Sequence, residues 1–285
     1  MSAGLVNFPK RYFGQERLTQ EIQQMIYNGH LPRFIILEGS KGSGRRTLAR
    51  ELIAQSMNAT FIECETGVDA VRAMTEKAYK MSEPTVYFID DADGMSTAAK
   101  NALLKVTEEP PNNAYFVLAL VNRENTLGTI KSRAITFPME PYSTEQLRDY
   151  WYSVYGQWED RWGDIAGYVR NFGDLQYFAE EFEKGKSVVK FAKTVLENVA
   201  TVSGTNALKI ADYFNLGNEP DKFDPEFFLH VFKVMCYEKL TKTGDPVMAK
   251  WILITCRAER QMGNYNLTVW GIMDTWMFEL RSAAR

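Results

Sequence analysis

Apolar positions follow two alternating rhythms over the first 140 residues. From Gln15 to Tyr27, Leu18, Ile22, Met25 and Ile26 recur at three- and four-residue steps, the spacing of one helix face. Phe34-Ile35-Ile36-Leu37 is then a continuous apolar run, followed at once by Gly39-Ser40-Lys41-Gly42-Ser43-Gly44. That order predicts a buried strand, a Gly-rich turn and a helix from about Arg45 to Met57. Thr60–Cys64, Thr85–Ile89, Tyr115–Val121 and Ile135–Phe137 read as four further strands. Helices are predicted over Val68–Met81 and from a Ser96 cap to about Thr107, where Pro110-Pro111 prevents continuation. Strands alternating with helices, each strand apolar at successive positions, predict an α/β core: a parallel sheet covered on both faces.

Beyond Pro138 and Pro141 only helical periodicity is left. Ser143-Thr144-Glu145-Gln146 is a capping box opening a helix to Val154, and Trp158–Val169 and Leu175–Glu183 follow as short helices, with Gly185 as a linker. Five more helices are predicted at about 187–202, 205–215, 224–241, 246–262 and 267–282. Gly204, Gly217-Asn218-Glu219-Pro220, Gly244-Asp245-Pro246 and Gly263-Asn264 punctuate them. Trp251, Ile254, Trp270, Met273, Trp276, Met277 and Leu280 recur at helical spacing and predict core and interface, with the three Trp residues as candidate anchors. The expected layout is 1–140, 141–185 and 186–285.

Composition narrows the function. With 33 basic and 36 acidic residues the net charge is −3, which disfavours a free-standing basic nucleic-acid binder. Cys64, Cys236 and Cys256 lie far apart, and with only His30 and His230 no zinc spacing arises, so no metal site is predicted. Free thiols and the lack of a long apolar run or secretory leader predict a soluble cytoplasmic protein.

Two stretches carry chemistry. Strand–loop–helix context around Gly39, Gly42 and Gly44 is that of a phosphate-binding loop, in which backbone N–H groups approach phosphate, a Lys reaches the β/γ-phosphates and a hydroxyl holds Mg²⁺. Here Arg45 stands at the Lys position and Arg46 at the hydroxyl position; Thr47 is one residue late, about 100° further round the helix. The residues read as a phosphate loop that has lost catalysis, with a plain Gly-rich turn and a working ATP site as rivals. Val86-Tyr87-Phe88-Ile89-Asp90-Asp91 resembles the acidic element that positions Mg²⁺ and water, Asp91 being a methylene shorter than the usual Glu.

Lys100-Asn101-Ala102-Leu103-Leu104-Lys105-Val106-Thr107-Glu108-Glu109-Pro110-Pro111 resembles the stretch after the acidic motif in bacterial DNA polymerase III clamp-loader subunits. Thr129-Ile130-Lys131-Ser132-Arg133-Ala134 resembles their Ser-Arg-Cys motif, with Ala134 for Cys, and Asn122 stands where they keep a polar sensor. Phe13-Gly14-Gln15-Glu16 and Asn264-Tyr265-Asn266-Leu267 are similar to the family's entry and C-terminal segments. The resemblance implies an AAA+ core, a three-helix lid and a helical collar.

Within that family the degenerate loop, and Gln176 where motors carry a lid arginine, resemble the delta-prime subunit, an ATPase-silent stator. The resemblance then implies that Arg133, with Ser132, serves a neighbour's ATP, while Arg45, Arg46, Thr47, Asp90, Asp91 and Asn122 form a degenerate site that retains at most residual nucleotide or phosphate binding. Implied partners are other clamp-loader subunits, a sliding clamp and primer–template DNA, with Lys100 and Lys105 as candidate phosphate contacts. A single Cys in the short interval where many relatives carry a four-Cys zinc module implies a compact or divergent version, bacterial or phage. The rivals are an ATP-hydrolysing motor using Arg45, Asp90 and Asn122, and an AAA+-derived adaptor of replication or recombination.

Overall fold

A computed structural model describes residues 14–154, 161–180, 182–203, 208–214, 222–262 and 267–284. They form two compact units. The first holds the described residues up to Tyr150 together with Asn171–Gly173; the second holds Trp151–Arg170 and the residues from Asp174 onward.

In the first unit five strands, β1 (Phe34–Glu38), β2 (Thr60–Cys64), β3 (Thr85–Ile89), β4 (Ala114–Leu120) and β5 (Ile135–Pro138), form one sheet in the order β2-β3-β4-β1-β5. Every pairing is parallel, with Ile36 opposite Leu118 and Thr136, and Tyr87 opposite Phe116 and Ile62. The alternation of side chains explains why the strand sequences are apolar throughout. Ile36, Tyr87, Ile89, Phe116 and Leu118 face one core; Ile35, Leu37, Val86, Phe88, Val117 and Ala119 face the other.

One core is closed by α3 (Val68–Lys80), α4 (Thr97–Ala102) and α5 (Leu104–Glu108); the other by α1 (Glu16–Tyr27) and by α2 (Arg45–Thr47), which continues as a π-type helix over Leu48–Ala54. Parallel order places every strand's C-terminal end at one edge, where Glu38, Asp90 and Val121 emerge.

The Ser96 cap forms, its hydroxyl accepting from the Ala99 amide, but the predicted helix to Thr107 is interrupted at Leu103, whose N–H bonds Lys100 O three residues back. The capping box forms reciprocally: Gln146 N donates to Ser143 Oγ and Ser143 N to Gln146 Oε1, opening Thr144–Val154.

In the second unit the helices are Trp162–Ile165, Phe182–Asn198, Pro225–Thr243, Pro246–Met262 and Val269–Ala283, with a 3₁₀ stretch at Leu208–Tyr213 where a full helix was expected. Phe172–Glu180 begins in the first unit and ends in the second. Gly185 is not a linker: it sits inside Phe182–Asn198, where an added Cβ would lie 2.5 Å from the Phe178 ring, so close helix packing explains the glycine. The expected Trp158 helix start, Gly204, Gly217–Pro220, Phe13 and Asn264–Asn266 lie outside the described residues. Trp251 and Trp276 are 3% and 1% exposed and belong to the chain's own core, which corrects their reading as interface anchors; Trp270, at 47%, is exposed. Among the described residues no helix is long and apolar enough to cross a membrane.

Candidate nucleotide-loop site

The loop from Gly39 to Gly44 joins β1 to α2. Gly42 and Gly44 adopt φ of 77° and 92°, values that a side chain would strain, and the second of these turns the chain into the helix. Arg45 begins α2 with its side chain 5% exposed. Its guanidinium donates to Gly39 O at 3.1 Å and to Asp90 Oδ1 at 3.2 Å, and lies 3.6 Å from Asp91. Arg46, exposed, bridges Glu63 at 3.3 Å and Asp90 at 3.5 Å, while Lys41 reaches Asp91 at 3.9 Å. Thr47 is half-buried one position further along.

Of the expected site residues, Arg45, Arg46, Asp90 and Asp91 are therefore brought together, in a self-neutralised form. Bound Mg·ATP requires a compact cation aimed at the β/γ-phosphates, a hydroxyl on the metal and an acid free to face it. Two guanidinium groups instead claim Asp90, and position 46 offers no oxygen. These residues do not fit bound Mg·ATP. Beside them is an open cleft of about 470 Å³ lined by Arg46, Glu63, Cys64, Asp90 and Asp91 among others. Burial pushes the Cys64 thiol up to about 11, so it is not a thiolate nucleophile near neutral pH.

Asn122 follows β4 in a loop fixed by two carboxylates. Asp93 accepts from the amides of Val121 at 2.6 Å and Asn122 at 3.0 Å and from the Asn125 side chain at 3.3 Å; Glu38 accepts from Arg123 N at 2.9 Å. The Asn122 side-chain oxygen accepts from Glu124 N. Lys100 is 9% exposed, and its ammonium donates to Asp93 O at 3.1 Å and Asn125 O at 2.5 Å. Lys105 is exposed and lies 5.4 Å from the centre of the Tyr79 ring. The two lysines thus occupy opposite environments: one ammonium is engaged by loop carbonyls, the other faces outward.

From this loop the chain enters the short helix α6 (Gly128–Lys131), tied back by Lys131 to Glu124 at 2.7 Å, an ion pair that holds the Glu124 carboxyl below its usual range. Ser132 and Arg133 follow α6 on the surface. Ser132 Oγ donates to Thr129 O; Arg133 donates to Thr129 O at 3.0 Å and reaches Glu108 at 3.4 Å, with 38% of its side chain exposed. Arg133 is in the turn before β5. Gln176 belongs to the second unit.

Residues that sequence reasoning did not identify complete the loop's surroundings. Tyr142 Oη donates to Ser43 O at 2.8 Å, Asn171 Nδ2 to Lys41 O at 3.0 Å, and Gly173 N to Gly42 O at 3.1 Å. They lie about a hundred residues or more from the loop, and no local pattern marks them.

Comparison with known proteins adds an independent line. The family model described as DNA polymerase III, delta subunit, matches residues 56–143. The DNA polymerase III subunit gamma of Buchnera aphidicola is 30% identical over 169 residues, 48% of this chain and 46% of that one. The replication factor C small subunit of Methanoregula boonei is 26% identical over 150 residues, 48% and 46% of the two chains. This chain spans about half the length of the curated relatives it matches. A Thermotoga maritima DNA polymerase III gamma subunit-related protein of known structure superposes over 94% of this chain and all of its own, with a TM-score of 0.58 at 19% identity, a likeness of fold.

Proposed function

We propose that the chain is a member of the AAA+ clamp-loader family and acts as the ATPase-silent, delta-prime-like subunit of a loader that works in DNA replication, a reading supported by the matches to its subunits, with 1–140 as core and the C-terminal helices as collar. The observation that carries this reading is the pairing of Arg45 with Asp90 and Gly39 O: the cation that should await phosphate is already neutralised by the acid that should await metal. Nothing in that arrangement organises charge around a transferring γ-phosphoryl group. Arg133 then supplies a guanidinium to ATP on a neighbouring subunit, which also binds the Mg²⁺. Its partial exposure and weak ties to Glu108 and Thr129 O support this role, since an exposed ion pair contributes about 0–1 kcal/mol and is readily exchanged. Exposed Leu253, Trp270, Tyr237 and Phe278 support assembly with other subunits through the C-terminal helices.

The test is the ATPase rate of the reconstituted complex. Arg133→Ala should assemble normally and lower DNA-stimulated turnover by tens-fold or more, as fingers in related systems contribute about 10³–10⁵ in rate. Arg133→Lys should rescue poorly, because one ammonium does not reproduce the guanidinium fork. An unchanged rate at equal assembly refutes the role. ATP hydrolysis by the isolated chain, lost in Asp90→Ala, would instead support the motor reading.

A further inference from the structure

Arg133 follows α6, a helix of a single turn. One turn makes too few internal hydrogen bonds to persist alone, so its direction is set by what it touches. Ile130 is fully buried, and Leu127 and Ala134 rest partly buried on the same core. Those three positions share one helix face, so α6 is seated along a line of apolar contacts that leaves rotation about the line open. A second tether comes from another direction. Lys131 Nζ donates to Glu124 Oε2 at 2.7 Å, and Glu124 belongs to a loop with little freedom. The Asp93 carboxylate accepts from the amides of Val121 and Asn122 and from Asn125 Nδ2. Lys100 ties Asp93 O to Asn125 O, and Glu38 accepts from Arg123 N. Asn122, at the position of a polar sensor, caps its own loop by accepting from Glu124 N. Arg133 itself donates to Thr129 O, a carbonyl of α6, so the guanidinium follows wherever α6 turns.

We propose that Asp93 and Glu124 are positioning residues for Arg133: Asp93 sets the loop 121–125, and Glu124 holds Lys131 so that α6 presents the guanidinium in one direction. The inference deepens the reading of Arg133 as a group that serves a neighbour's ATP, and rests on it. Such a guanidinium meets charge that develops in the transition state, so a misaimed one lowers kcat and leaves KM nearly unchanged. Small displacements matter there, since a misplacement of about 1 Å can cost about 10²-fold in rate. The Glu124–Lys131 pair faces solvent and contributes little to folding, so breaking it changes aim more than stability.

The experiment is steady-state ATP turnover by the reconstituted complex on DNA, after melting curves and gel filtration show equal folding and assembly. Glu124→Gln, Lys131→Met and Asp93→Asn should each lower kcat about three- to tenfold with KM unchanged. Exchanging the charges, Glu124→Lys with Lys131→Glu, should restore most of the loss. In an Arg133→Ala background none of the three single changes should slow turnover further, whereas a merely structural lesion would add to the Arg133 effect. If Arg133→Ala lowers kcat while Glu124→Gln and Asp93→Asn match wild type, the positioning role is refuted and the role of Arg133 stands. If Arg133→Ala itself changes nothing, the reading of Arg133 fails and this inference with it. Equal losses with and without Arg133, or a charge exchange as slow as the single variants, likewise overturn the positioning role.

Discussion

Replacing Lys100 by Met tests the most unusual buried group in the first unit. The ammonium is a charge 9% exposed whose two observed acceptors are backbone carbonyls, Asp93 O and Asn125 O. A hydrogen bond from a charged group contributes about 1.5–3 kcal/mol, and a stranded buried carbonyl costs about 1–3 kcal/mol. Two such bonds are lost in Lys100→Met. The two loops are partly open to solvent, so water recovers some of that loss, and Met returns some apolar burial. The net destabilisation is about 2–3 kcal/mol, which for a unit of this size lowers the melting temperature by about 5–10 °C. Differential scanning calorimetry of wild type and variant measures it, and amide exchange locates it: residues 121–127 should lose protection while β1 and β4 keep theirs. A variant that melts with wild type, yet binds duplex DNA more weakly and with a shallower salt dependence, would refute the reasoning and make Lys100 a phosphate contact.

Lys105→Ala should do the opposite, leaving stability unchanged and, in the proposed loader complex, reducing the slope of log K against log salt on primer–template DNA by about one; an unchanged slope means that this ammonium meets no phosphate. His230, buried in Pro225–Thr243, makes the second unit acid-sensitive. Burial, reinforced by Arg170 and Lys233 and opposed by Asp174 and a hydrogen bond with the Tyr168 backbone, pushes its imidazole down to about 4 from 6.5. The unfolded chain therefore binds the extra proton first, so stability is full above pH 6.5 and falls by up to about 3 kcal/mol as pH drops to 4. Urea midpoints against pH for wild type and His230→Phe should differ in slope across that window, and parallel curves would exclude the histidine.

The sheet was legible because burial on both faces writes a strand as an unbroken apolar run, and Phe34–Leu37, Thr85–Ile89 and Tyr115–Leu120 are such runs. The caps at Ser96 and Ser143 were legible because their partners are three residues away. The loop was legible as glycines between strand and helix, and the Arg45 and Arg46 departures could be seen in residue type alone. What sequence could not convey is where those side chains spend their charge. Arg45 meets an acid 45 residues away, and Asn171 meets Lys41 across 130 residues; no periodicity links such pairs. Lys100 and Lys105 share a motif and a helical region, yet one is engaged inward because Asp93 and Asn125 happen to close over it. Gly185 was misread because a glycine admitted for close packing against Phe178 carries the same letter as a glycine in a hinge.

The separation of Lys41 and Asn171 also fixes an order of events at the ribosome. All five strands of the sheet are made once Pro138 has emerged, but two of the loop's carbonyls find their donors only when Asn171 and Gly173 follow. At roughly 5–20 residues per second the loop waits on the order of 10 s after its own synthesis. A nascent chain therefore passes through a stage in which all five strands have been made while Lys41 O and Gly42 O still lack these donors.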